Sequence, residues 1–186
     1  DDGINLKYCR VDLRRNVVSG ARDDAIDCDF CTGTVIANRV HDAGGDGIDF
    51  SGSDVDVVAN VIEHCADKGL SIGERTRARL RDNRIGDGRT GIAVKDHSDA
   101  DIEDTVLERL EVGVALYVKK PTFGPSRARI GRLSSHQVDS DEAREALADR
   151  AVAELKGIDE AEFAAATTEN FFRLFSKVEA PSAPGS

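Results

Sequence analysis

Short apolar pairs, spaced by two residues and bounded by Gly, Asp, Asn and Ser, recur through the first two-thirds of the chain. The stretch 46–67, DGIDFSGSDVDVVANVIEHCAD, shows one unit. Gly3, Ala25, Gly47, Gly69, Gly91 and Gly113 stand 22 residues apart, and each is followed by Ile, Leu or Val. Two positions after those come Leu6, Cys28, Phe50, Ile72, Val94 and Leu116. A second apolar column is Leu13, Val35, Val57, Leu80 and Ile102, and a third is Val18, Val40, Ile62, Ile85 and Leu107. Both slip by one residue in the fourth copy, which places one extra turn residue within GERTRA, and Gly91 restores the count.

A period near 22 built from such pairs predicts one coil per repeat. Leucine-rich repeats share the period but need a denser Leu/Asn signature. β-Branched and aromatic pairs between turn residues are strand-and-turn chemistry. Residues two apart on a strand share a face, so Ile48 and Phe50 point inward and Asp49 outward. Stacked coils turn equivalent positions into ladders about 4.8 Å apart. The predicted fold is all-β: a right-handed parallel β-helix of about five to six coils, its hand taken from the usual chirality of parallel crossovers. Asn16, Asn38, Asn60 and Asn83, with Thr105 in fifth place, form a polar column. Asn suits a turn needing left-handed dihedrals, and stacked amides can bond along the axis.

The coils run from residue 1 to 133. A sixth starts at Gly113 and breaks at KKPTFGP, where Pro121 and Pro125 cannot donate to a ladder. RARIGRL is a last short strand and SSHQVDS a linker. Residues 134–178 make a helical segment. DSDEAREALADRAVAELKG has helical spacing and IDEAEFAAATTENFFRLFSKV reads as a second amphipathic helix; together they form an expected cap for the open end of the stack. Residues 179–186 are a disordered tail.

Composition narrows the function classes. The formal net charge is −10, which argues against nucleic acid, since a phosphate backbone calls for clustered Lys and Arg. Arg75, Arg77, Arg79, Arg81 and Arg84 crowd the fourth coil; a solvated face offsetting the acids is the first reading, a polyanion patch the second. No apolar run is long enough to span a membrane. The chain has no Met, even at position 1, and its first residues already lie in the repeat, so an upstream domain of a longer protein is expected.

The outward columns carry the candidate chemistry. Asn5, Asp27, Asp49 and Ser71 form one, Asp2, Asp24 and Asp46 another, and Asp29 flanks the same face. Stacked carboxylates repel unless a cation, a donor or a raised pKa compensates. Hard oxygen ligands suit Ca²⁺, giving Asp24, Asp27, Asp29, Asp46 and Asp49 as a candidate metal site between coils 2 and 3. The alternative has Asp24 and Asp46 bonding their own turns. Lys68, Glu74 and Lys95 lie near that face as a candidate ligand surface, and an elimination or epimerisation of sugars would need such a base and charge-neutralising group. His41 and Glu63 fall one coil apart. Aromatic residues are 5% of the chain, with Tyr8 and Tyr117 the exposed candidates for stacking on sugars.

Cys28 sits in an inward column and Cys65 matches Ala43 and Ala21, so both are small buried hydrophobes. Cys9 and Cys31 are one period apart, within reach of a bridge if the compartment is oxidising. Cys28-x-x-Cys31 lies on a strand and its exit turn, without the second pair that zinc needs.

DAIDCDFCTGTV, GGDGIDFSGS, ADKGLSIGERT, TGIAVKDHS and VALYVKKPTFG resemble, in this order over residues 20–125, the β-helix found in CotH-kinase-associated bacterial surface proteins. That resemblance implies a β-helix module and supplies no phosphotransfer residue. ADRAVAELKGIDEAEFAAATTENFFRLFSKV resembles the final helices of TatD-family metal-dependent deoxyribonucleases, without that family's metal-binding motifs. The expected function is a non-catalytic structural or ligand-binding surface module, extracellular or on the cell surface, contacting polysaccharide. A polysaccharide lyase or epimerase is the alternative, and a remnant of a TatD-like hydrolase a weaker one.

Overall fold

The structure is a computed structural model that describes residues 1–139. It contains sixteen strands, and every pairing among them is parallel. They wind as a three-faced solenoid. The first face carries β1 (Ile4–Lys7), β4 (Ile26–Asp29), β7 (Ile48–Ser51) and β10 (Lys68–Gly73). The second is a 6-stranded sheet of β2 (Arg10–Arg14), β5 (Thr32–Ile36), β8 (Asp54–Val58), β11 (Arg77–Arg81), β13 (Asp99–Glu103) and β15 (Arg127–Ile130). The third carries β3 (Val17–Ser19), β6 (Arg39–Ala43), β9 (Val61–Cys65) and β16 (Leu133–Val138). β12 (Arg84–Lys95) and β14 (Thr105–Tyr117) run unbroken from the third face of one coil into the first face of the next.

The register follows the apolar columns. Ile26 pairs with Ile48, and Ile48 with Leu70; Val35 pairs with Val57, and Val57 with Leu80. Their side chains fill the interior, where Phe50, Ile48, Leu70, Ile72 and Leu80 are fully buried. Each such side chain contributes about 1.5–3 kcal/mol on burial. The extra residue lies within GERTRA as expected. Ser51 pairs with Gly73, and Ser53 stacks on Thr76, so Glu74 and Arg75 absorb it in consecutive left-handed conformations (φ 55° and 68°).

The polar column is an asparagine ladder through the core edge. Asn38 Nδ2 donates to Asn60 Oδ1 at 3.0 Å, and Asn60 Nδ2 to Asn83 Oδ1 at 3.0 Å. The same oxygens accept the backbone N–H of the preceding coil's Asn. The left-handed residues, however, are the neighbours Arg15, Ala37, Ala59, Asp82 and Asp104, not the asparagines. The column is therefore selected by amide bonding along the axis, and the dihedral argument for Asn does not apply.

Two expectations about the end of the stack are corrected. SSHQV, expected as linker, is strand: β16 pairs with β14 from Thr105↔Leu133 to Leu110↔Val138. KKPTFGP does not end the winding but is an excursion within it, since Ile102 pairs with Ile130, 28 residues on. The loop is pinned by Asp96, whose Oδ1 accepts the N–H of Lys119 and of Lys120, each at 2.7 Å. Arg75 lies over the Phe123 ring, 5.5 Å from its centroid. The expected helices, and with them the TatD-like stretch, lie outside the described residues.

Candidate functional site

The outward side of the first face is polar, and its columns align coil on coil. One reads Asp2, Asp24, Asp46, Lys68; the next Asn5, Asp27, Asp49, Ser71; the third Lys7, Asp29, Ser51, Gly73, Lys95. Strand alternation sends these side chains outward because their neighbours Ile26, Cys28, Ile48 and Phe50 fill the core.

Asp24 and Asp46 bond the main chain of the next coil and not their own turns. Asp24 Oδ1 accepts the N–H of Asp46 at 2.6 Å, and Asp46 Oδ1 accepts the N–H of Lys68 at 3.1 Å. This acidic ladder ends on a cation. Lys68 Nζ reaches Asp46 Oδ1 at 2.9 Å and also bonds Asp67. Burial opposes the charge on Lys68, yet Asp46 and Asp67 outweigh it and hold its pKa above the ordinary lysine value. Continuing the Asp2, Asp24, Asp46 column by one more period lands on Lys68, so the sequence carried this signal.

Lys95 serves the second column. It is buried, and its Nζ donates to Ser71 Oγ at 2.6 Å and stands 3.7 Å from Asp49 Oδ1. Gly73 lets it cross: a Cβ there would sit 2.7 Å from Lys95 Cε. Thus Lys95 stands beside Asp49, and Ser71 is its closer partner.

The five carboxylates of the expected metal site separate. Asp24, Asp46 and Asp49 each bring an oxygen within 4.8 Å of the others. Asp49 Oδ1 is buried without a hydrogen-bond partner. Asp27 accepts from Asn5 Nδ2 at 2.8 Å. Asp29 is taken by Lys7 Nζ at 2.6 Å. Glu74, expected on the ligand surface, sits in the left-handed turn after β10 and pairs with Lys120. His41 and Glu63 do pair in register, but their side chains bond Asp42 and Arg39 instead. Of the crowded arginines, Arg79 is held by Asp54 and Asp56, and Arg84 by Glu108.

Crowding shows in two titrations. Asp24 is pushed up to about 6, first by burial and then by Asp46, Asp49 and Asp23, against the pull of the Asp46 N–H. Asp27 is likewise pushed up to about 6, by burial and by Asp29, Asp49 and Asp2. A carboxyl whose folded pKa exceeds its unfolded value near 3.8 binds more protons folded than unfolded between the two. Its charged form destabilises the fold above about pH 6, and that penalty is relieved as pH falls. Melting temperature is therefore expected to rise between pH 7 and pH 5, a trend the Asp24→Asn, Asp27→Asn double variant would flatten. A wild-type profile that is level or falls on acidification over this window would contradict the crowding.

At the corner beside this face Tyr8 and Phe30 stack, with centroids 5.0 Å apart and planes 7° off parallel. Phe30 in turn covers Gly52, whose φ of 62° and open Cβ position leave room for the ring. Both rings are exposed, whereas Tyr117 is partly buried.

Residues 2–124 match the family model described as a right handed beta helix region. No curated protein and no solved structure matches the chain.

Proposed function

We propose, from the premise that this chain belongs to the right-handed β-helix family, that it is a non-catalytic ligand-binding surface module whose first face contacts polysaccharide. The observation that carries this reading is the set of three straight outward columns. They present carboxylate, amide, hydroxyl and ammonium groups at the rung spacing of about 4.8 Å on a rigid sheet. A polymer of hydroxyl groups is bound by such preset donors and acceptors at little ordering cost. The exposed Tyr8–Phe30 stack borders the face and adds apolar area for a sugar ring. On this reading the module works outside the cytoplasm, on the cell surface.

Ca²⁺ is the proposed ion for the Asp24, Asp46 and Asp49 oxygens, which suit a hard cation. It would compete there with the Lys68 and Lys95 ammonium groups, so any affinity is expected to be weak. The runner-up is a lyase or epimerase. It is favoured by Lys95 beside Asp49 and Ser71, a base and neutralising pair on one face.

Affinity electrophoresis in gels cast with neutral, acidic and amino-bearing polysaccharides separates these readings, with and without Ca²⁺. Retention by a polysaccharide left intact, weakened about tenfold in Asp27→Asn, Asp49→Asn, is the expected result. A polymer shortened or carrying a new double bond after incubation would hand the face to the enzyme reading. No retention on any polymer would leave only a structural role.

A further inference from the structure

At the corner between the first and second faces one column holds Cys9, Cys31, Ser53, Thr76, Ser98 and Ser126. Its later members form a hydroxyl ladder broken at Ser98, whose Oγ is buried without a partner. Ser53 Oγ accepts the N–H of Cys31 at 2.9 Å, Thr76 Oγ1 that of Ser53 at 3.0 Å, and Ser126 Oγ that of Ser98 at 3.3 Å. Ser or Thr meets the needs of this column, yet its first two positions are thiols. Their sulfurs face each other at 3.6 Å, and both are free. The backbones around them are locked in parallel register by Tyr8 N–H to Asp29 O at 2.9 Å and Thr32 N–H to Cys9 O at 3.0 Å. A rung spacing of about 4.8 Å falls within the Cα separation that a disulfide accepts.

We propose that Cys9 and Cys31 are a thiol–disulfide modification site, closing into a bridge that staples the first coil to the second. The co-reactant is a small disulfide of the glutathione class. Cys9, the partly exposed member, attacks one sulfur of that disulfide as its thiolate and releases one thiol. The buried Cys31 then loses its proton and attacks the Cys9 sulfur, forming the Cys9–Cys31 bond and releasing the second thiol. The protein gives up two hydrogens and the reagent is reduced to two thiols. Burial raises the pKa of the Cys31 thiol, so the second step quickens with alkaline pH. Cys28 and Cys65 face the core, where burial pushes each up to about 12 and leaves it inert.

The inference does not depend on the polysaccharide reading. Its test is to equilibrate the full chain with mixtures of oxidised and reduced glutathione at pH 8, quench with an alkylating agent in denaturant so that every remaining thiol reacts, and map the linked peptides by mass. The expected product links Cys9 to Cys31, loses two hydrogens, leaves Cys28 and Cys65 alkylated, and melts about 5 °C higher than the reduced chain. The Cys9→Ser and Cys31→Ser variants, whose hydroxyls fit the ladder, should fold, lose the link and lose the redox-dependent shift, while Cys28→Ser keeps both. A Cys28–Cys31 link, a stable mixed disulfide at Cys9, or four alkylated thiols at every glutathione ratio would overturn the proposal.

Discussion

Asn60→Ala is expected to cost about 3–4 kcal/mol and to lower the melting temperature by about 10 °C. Asn60 is fully buried, and its side chain takes part in four hydrogen bonds. Its Oδ1 accepts the backbone N–H and the Nδ2 of Asn38, and its Nδ2 donates to Val35 O and Asn83 Oδ1. Truncation leaves the Asn38 N–H without a partner in a dry corner, at about 1–3 kcal/mol, and removes the amide bonds to Val35 O and Asn83 Oδ1 as well. The loss is also directional. A solenoid is held by contacts between neighbouring coils, so a weakened middle interface lets the two halves melt separately. Urea unfolding of the variant is therefore expected to broaden or split. Asn16→Ala, at the end of the same ladder, removes one side-chain bond to Asn38, whose oxygen still accepts the Asn16 N–H, and should cost about 1 kcal/mol. Equal losses at Asn16 and Asn60 would show that the amides act singly and not as a continuous ladder.

The coil architecture was legible because two-residue alternation and a fixed period report directly on which side chains face the core. Ile48, Phe50 and Val57 could not all be buried in any other register. Even the extra residue of the fourth coil showed, since Gly91 closes the count. What the period does not encode is which polar neighbour a side chain chooses. Lys95 lies in the column of Lys7 and Asp29, yet it leans across Gly73 to Ser71 and Asp49, a diagonal that depends on the missing Cβ of Gly73. Asp29 was grouped with the other acids by sequence position alone. The outward face of coil 1 supplied Lys7 at its rung and removed it from the set. The strand status of SSHQV was hidden for another reason: its Ser, His and Gln are exposed on the last of the described rungs, so no apolar alternation marks it.

Lys68→Met should destabilise by about 3–5 kcal/mol, because it strips the counter-charge from a carboxylate that stays buried. The side chains of Lys68 and Asp46 are 5% and 8% exposed, so water cannot replace the lost ammonium. The methionine covers the alkyl stem of the lysine, which makes the loss one of charge and hydrogen bonding and not of packing. Asp46 would still accept the Lys68 main-chain N–H, so the fold would keep its register while holding an unpaired anion beside Asp24 and Asp49. The second substitution decides the cause. Asp46→Asn keeps an oxygen for that N–H and removes the charge, so the double variant is expected to recover most of the lost stability. The two single effects should then fail to add by about 2 kcal/mol or more. Additive losses in chemical denaturation would mean that Lys68 stabilises the coil through its stem and through Asp67, and that the acidic column tolerates its own charge. That outcome would weaken the account of this face in which lysines, placed by the same repeat as the aspartates, hold the carboxylate ladder together.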